Sequence, residues 1–204
     1  MRTNGSSIFA VMKLVFASNN KHKLEEVRNK LPKEIEILSL TEVLGDVGIV
    51  ENGTSLEENA AIKARYVSEK TGLNCFADDT GLEISALNGE PGVYSARYAG
   101  PGCSFKDNMN KVLLGLEGKK DRSARFRTVI CLIMNGKEHL MDGTVNGEIM
   151  TEEHGEEGFG YDPIFKPKGY SETFAEISLN EKNRISHRAL ALEKLVEKLT
   201  QLLA

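Results

Sequence analysis

Asp78 and Asp79 follow an apolar run that ends at Ala77, with Thr80-Gly81 directly after them. Adjacent carboxylates at a strand end can hold Mg²⁺ through oxygen ligands, or orient a water for attack on phosphorus. The same residue types also make an Asx turn, which taken alone is the simpler account. Residues 74–77 and 82–86 both have strand character, so the acid pair is expected in a turn between two strands.

Other groups able to do chemistry are scattered from residue 18 to residue 188. Ser18-Asn19-Asn20 leads from an apolar strand over 13–17 into a helix carrying Leu24, Val27 and Leu31, closed by Pro32. Such a turn directs backbone N–H groups and the positive helix end outward, and Lys21, His22 and Lys23 add charge there. An anion fits this place, and so does an ordinary N-cap with a solvated basic turn. Thr54 and Glu57 have capping-box spacing ahead of a helix with Leu56, Ala60, Ala64 and Val67 inward. Lys63, beside that stripe, either snorkels past the core edge or reaches into a cleft, and Glu51 is either a solvated acid or a metal ligand. Phe159-Gly160-Tyr161-Asp162 sets aromatics beside an acid, an arrangement suited to stacking on a base and accepting its N–H protons, or to a packed turn. Lys182, His187 and Arg188 gather at the start of the last helix, where they suit an anion or a carbonyl acceptor.

These groups need elements to bring them together. Residues 35–40 read as a second strand, and residues 41–50 show no clear period. Residues 87–102 form a long Gly- and Pro-rich loop with Tyr94, Ser95, Arg97 and Tyr98. Ser104 is an N-cap for a helix with Phe105, Met109, Val112, Leu113 and Leu116 inward. Residues 124–134 are the most β-rich stretch, and Asn135-Gly136 turns it back into a strand near 139–145. Arg125 and Arg127 share one face at the start of that hairpin, open to solvent or to a dimer partner, with solvent the expected neighbour. The final helix buries Ile185, Ala189, Leu192, Val196 and Leu199.

The 204 residues, 40% hydrophobic and 27% charged, make an ordinary soluble balance with no apolar run of membrane-spanning length. A net charge of −4 gives no global attraction to nucleic acid. Cys75, Cys103 and Cys131 match neither a disulfide framework nor a zinc site, which fits a reducing cytoplasm. Residues 12–204 are expected to fold as one unit, with 1–11 an N-terminal extension ahead of a possible start at Met12.

Taken in order, the motifs resemble the inosine triphosphate pyrophosphatase family, which hydrolyses dITP, ITP and XTP to monophosphate and pyrophosphate. The resemblance is carried by Ser18-Asn19-Asn20-Lys21-His22-Lys23, Glu58-Asn59-Ala60 with Lys63-Ala64, Ala77-Asp78-Asp79-Thr80-Gly81-Leu82 and Pro91-Gly92-Val93-Tyr94-Ser95-Ala96-Arg97-Tyr98. It continues through Gly158-Phe159-Gly160-Tyr161-Asp162-Pro163 and Glu181-Lys182 with Ile185-Ser186-His187-Arg188. The turn reads Ser-Asn-Asn where Thr-Gly-Asn or Thr-Thr-Asn is usual, and Glu157 stands where glycine is common. The resemblance implies an elongated two-lobed α/β fold on a long mixed central sheet flanked by helices, with the active-site cleft between the lobes, and a homodimer. It implies a triphosphate-binding turn at Ser18 to Lys23 assisted by Lys63, and Asp79 as the catalytic acid with Thr80 as the adjacent substrate contact. It further implies Mg²⁺ on Glu51 and Asp79, and base recognition by Phe159, Gly160, Tyr161, Asp162, Lys182, His187 and Arg188.

Overall fold

In a computed structural model, which describes residues 12–203, strand β1 (Met12–Phe16) leads through the Ser18-Asn19-Asn20 turn into helix α1 (Lys21–Lys30). The expected extension, residues 1–11, lies outside the described residues. Then follow β2 (Ile35–Ser39), α2 (Leu40–Leu44), α3 (Leu56–Thr71), β3 (Cys75–Ile84) and α4 (Phe105–Gly115). A long hairpin of β4 (Ser123–Met134) and β5 (Lys137–Ile149) precedes β6 (Phe165–Pro167), α5 (Leu179–Ile185) and α6 (His187–Leu203). The six strands make one mixed sheet in the order β2-β1-β3-β4-β5-β6, with β1 parallel to both β2 and β3 and the later pairs antiparallel. No described helix is long and apolar enough to cross a membrane.

Side-chain alternation buries the first half of the sheet on both faces. Leu14, Phe16 and Phe76 pack with Val27 of α1, with Leu31 just after it, and with Leu192 and Leu195 of α6. Val15, Cys75 and Ala77 point the other way, onto Ala60, Ala64 and Val67 of α3. Farther along β3 and β4, Leu82, Ile84 and Phe126 join Val112, Phe165 and Phe174 in a third cluster, the core of a second lobe. The two-lobed α/β architecture on a mixed sheet is the one the motifs imply.

Several local expectations need correction. Asp78 and Asp79 are not in a turn, because β3 runs unbroken through them, paired to β4 from Cys75↔Ile133 to Ile84↔Ala124. Charged residues normally end a buried strand; here each acid meets cations on its own face of the sheet, as described below. The cap of α3 is Ser55, which accepts the Glu58 N–H, while Glu58 accepts from Thr54; Glu57 is thereby free to pair with Arg127. Arg125 pairs with Glu83, so neither arginine is simply solvated. Phe105 is 48% exposed, its ring 6.3 Å from that of Phe159 rather than in the core. Residues 41–50 hide the short α2, held by a capping box between Ser39 and Glu42. The last helix is two, broken where Ser186 takes an extended conformation. The Asn135-Gly136 turn is as expected, with both residues at positive φ.

Candidate active site

The cleft arises because β1 ends before β3 does. The two strands pair only at Val15↔Cys75 and Phe16↔Phe76, after which the chain leaves the sheet at Ala17. From Asp78 to Thr80, β3 therefore has no strand partner on this edge; beyond it Gly81 lies against Gly92, the Leu82 N–H donates to Ser95 Oγ at 2.9 Å, and Glu83 is bridged by Pro91. A cleft of about 400 Å³ lies along this edge, between the Ser18-Asn19-Asn20 turn and the turn over residues 92–97. Ligands in open α/β sheets sit at such places, beyond strand ends where neighbouring strands part.

Neighbouring residues on a strand face opposite ways, and this separates the two acids. Asp78, 2% exposed, points toward α1 and α6, where Lys23 Nζ lies 2.9 Å from one carboxylate oxygen and Arg188 Nε 3.0 Å from the other. Burial alone would raise its pKa, but Lys23 and Arg188 together hold the carboxyl far below the usual carboxylate range. It is a fixed anion with its lone pairs engaged. Asp79 points toward α3, where the Asn59 amide donates to its Oδ2 at 3.2 Å and Lys63 Nζ lies 3.4 Å from its Oδ1. Here burial prevails over the attraction of Lys63 and Lys23, with Glu51 adding to it, and the carboxyl is raised above its ordinary value. Two carboxylates pushed in opposite directions by their surroundings divide the roles: one holds charge and the other can exchange a proton. Asn59 is wholly buried, and its Oδ1 accepts the Gly53 N–H at 2.8 Å, so it fixes Asp79 to the segment that carries Glu51.

At the other end of the cleft a buried chain of alternating charge joins α1, α5 and α6. Glu26 of α1 accepts from Lys182 at 2.8 Å and pairs with Arg188. Lys182 also donates to Asp162 at 2.7 Å, and Arg188 reaches Thr80 at 3.2 Å. With Asp78 and Lys23 the network balances three carboxylates against three cations, which is what allows it to be buried. Lys182 keeps its charge despite burial because Asp162 and Glu26 hold its pKa up, while burial of His187, with Arg188 and Lys182 near it, pushes that imidazole well below its ordinary value. His187 is therefore neutral, stacked on Phe126 at 4.6 Å, and its Nδ1 has no partner among the described residues. Gly143 of β5 makes this placement possible: a Cβ there would run into the His187 carbonyl oxygen and lie 3.0 Å from Leu190 Cβ.

Of the expected site residues, Ser18, Asn19, Asn20 and Lys23 line the cleft, as do Glu51, Lys63, Asp79 and Thr80. Phe159, Gly160, Tyr161 and Asp162 line it as well, together with Lys182, His187 and Arg188. Lys21 and His22 are exposed and outside the lining, and the His22 ring stacks on Phe159. The turn is both a cap and a cradle: Asn20 Oδ1 accepts the Lys23 N–H at 3.1 Å and Ser18 Oγ accepts the Asn20 N–H at 3.2 Å. Tyr161 is buried, its hydroxyl donating to the Ser95 carbonyl at 2.8 Å, and it ties the two rims together instead of offering its ring. Asp162 is engaged within the protein, its Oδ2 accepting the Phe159 N–H at 2.7 Å besides Lys182. Sequence reasoning gave no role to Glu26, to Asn59, although Asn59 stands in the Glu58-Asn59-Ala60 motif, or to Thr128, which hydrogen-bonds Thr80 at 2.8 Å. Asn59 left a signal as part of that motif, and Glu26 left one as an acid next to Val27 of α1.

The donor set can be tested against a metal. Lys63 Nζ lies 2.7 Å from Glu51 Oε2 as well as beside Asp79, so one cation already sits between these two carboxylates. Among the described residues no His, Cys or third acid completes a group that could enclose a metal. Two carboxylates suit Mg²⁺, which takes its remaining oxygens from phosphate and water, and do not suit a structural zinc.

Comparison with known proteins agrees with this geometry. The model of the Ham1 family matches residues 14–198. A dITP/XTP pyrophosphatase of Flavobacterium johnsoniae is 53% identical over 189 residues, covering 93% of this chain and 98% of that protein. One of Porphyromonas gingivalis is 47% identical, covering 90% of this chain and 95% of that protein. Among solved structures, a HAM1 protein from Coxiella burnetii superposes with a TM-score of 0.86 at 44% identity, over 93% of this chain and 99% of that one. The Staphylococcus aureus Ham1 protein gives 0.85 at 39% identity, over 93% and 98%. With near-complete coverage in both directions, this chain belongs to the Ham1 family.

Proposed function

We propose that the protein hydrolyses non-standard purine nucleoside triphosphates, ITP, dITP and XTP, to the monophosphate and pyrophosphate. The observation that carries this reading is the cleft itself: a raised-pKa acid with two lysines at one end, and a neutral histidine with anchored cations beside an aromatic ring at the other. The named activity of relatives about half identical over nearly the whole chain supports it. Water oxygen bonds to the α-phosphorus, the bond from that phosphorus to the bridging oxygen breaks, and pyrophosphate leaves with the electron pair. Asp79 orients the water and takes its proton, a role suited to a carboxyl whose pKa burial has raised. Lys23 and Lys63 face the charge that grows on the leaving group, and the turn N–H groups at the start of α1 bind the phosphates. Mg²⁺ held by Glu51 and Asp79 would neutralise phosphate charge.

Base choice follows from donor arithmetic. An ammonium has three N–H donors, and Lys182 uses one on Glu26 and one on Asp162, leaving one for a carbonyl such as the purine O6. Adenine would bring an amino donor to that donor, a mismatch that can discriminate by roughly 10⁴. Phe159 supplies a stacking face and does not choose among purines. A cytoplasmic homodimer belongs to the same proposal, on the resemblance. Product analysis of ITP, XTP, GTP, ATP and dTTP with Mg²⁺ tests the reading: monophosphate and pyrophosphate from ITP and XTP, with little from ATP, is the expected result. Binding without turnover, or release of single phosphates, would overturn it.

A further inference from the structure

His22 occupies the first turn of α1, one residue before Lys23, yet it does not line the cleft. Its imidazole instead lies against the Phe159 ring, with centroids 5.2 Å apart and planes 18° from parallel. The backbone around Phe159 is held independently of this contact, by the Phe159 N–H on Asp162 and by the Tyr161 hydroxyl on the Ser95 carbonyl. The ring is less determined: Gly158 and Gly160 on either side are at φ 77° and 67°, and neither glycine has a side chain to pack on it. Its orientation is set by what touches it, namely His22, the tilted Phe105 ring, the Lys182 ammonium 4.8 Å from its centroid and the Arg188 guanidinium 5.7 Å from it.

We propose that His22 is a positioning residue of base recognition: its ring sets the plane of Phe159 and couples the phosphate-binding start of α1 to the surface on which the purine stacks. The inference rests on the proposed function for the identity of the base, and it assigns His22 to the opposite end of the ligand from the one its place in the basic turn suggests. The linkage runs both ways. A phosphate that orders the start of α1 steadies the His22 ring, and through it the stacking face.

The test uses probes that carry one end of the ligand each. Tripolyphosphate, as a competitive inhibitor and by calorimetry, reports the phosphate end; IMP binding by calorimetry reports the base end; ITP kinetics report both. In His22→Ala, with unchanged melting, IMP affinity and the KM for ITP should both weaken about two- to fivefold, the range for a partly exposed aromatic pair. Tripolyphosphate affinity and kcat should stay within about twofold, and His22→Phe should restore IMP binding. Parallel weakening of tripolyphosphate would make His22 a phosphate ligand and overturn the proposal, as would unchanged IMP binding or failure of His22→Phe to rescue. Absence of ITP turnover in the wild type would overturn the proposed function instead, and the IMP and tripolyphosphate titrations would still decide the role of His22.

Discussion

Replacing Asp78 and Asp79 by asparagine, one at a time, should produce opposite phenotypes from adjacent positions. Asp78 is 2% exposed and is the described carboxylate against Lys23 Nζ at 2.9 Å and against Arg188 Nε at 3.0 Å. An amide in its place brings a donor against one of two buried cations and leaves both without its charge. Breaking a buried pair in this way costs about 3–5 kcal/mol. At roughly 2–4 °C per kcal/mol for a chain of this size, the midpoint of thermal unfolding should fall by about 6–20 °C. The sign with pH follows from the depressed folded-state pKa of Asp78. Its contribution is fully present above the ordinary carboxylate pKa and is lost as pH falls through the folded value, so the gap between wild type and Asp78→Asn should close in acid. Asp79 is raised by burial, so its ionisation works against the folded state at neutral pH. Asp79→Asn should melt within about 2 °C of wild type or above it, while turnover falls by about 10²–10⁴ with loss of the general base. Calorimetric melting and pyrophosphate release on the same preparations check both. An Asp78→Asn protein as stable as wild type, or a larger melting loss for Asp79→Asn, would refute the division of roles.

Other outcomes follow from the same geometry. Asn59→Ala removes the amide that holds Asp79 Oδ2 and the Gly53 N–H, and should lower kcat by roughly 10–100-fold with little change in KM, as measured by initial rates. Gly143→Ala forces the start of α6 off β5; it should destabilise by about 1–3 kcal/mol in denaturant titration and erode the preference for ITP over ATP, because His187 and Arg188 move with the helix. In the metal-free protein the Asp79 carboxyl should titrate above the ordinary aspartate range, followed by NMR with Asp79→Asn as the assignment control, and added Mg²⁺ should lower it. His187 should leave no limb in kcat/KM near neutrality, since burial keeps it neutral.

Much of the site was legible because its residue types are unusual where they stand. The turn at Ser18-Asn19-Asn20, Lys63 beside an apolar stripe, and His187-Arg188 at a helix start were all legible as chemistry-bearing positions, and all line the cleft. The continuity of β3 was not legible. Local pattern treats two acids as a break, and the cations that allow them inside a strand come from residues 23, 63 and 188, far away in sequence. Glu26 and Asn59 were given no role for the same reason, since their partners are set by tertiary packing and not by any neighbour. The shift of the α3 cap from Thr54 to Ser55 is a different failure, two adjacent hydroxyl residues each with an acid at capping distance. His22 was placed with the phosphates because three basic residues in a row share a turn, whereas successive helical side chains point about 100° apart.

The unbroken β3 has a mechanical meaning. It belongs to both lobes, and it is laced to β4 through ten residue pairs that continue past Asp78 and Asp79 without a bulge. Hinges form where a few loop or terminal residues can absorb large dihedral changes, and the floor of this cleft holds no such residues. An opening that pivoted at the reacting centre would have to bend this paired ladder. The segment bearing Glu51 borders the cleft on one side and the glycine-flanked Phe159 on the other, and neither is tied into the sheet, whereas the strand beneath holds Asp79 in register with Val129.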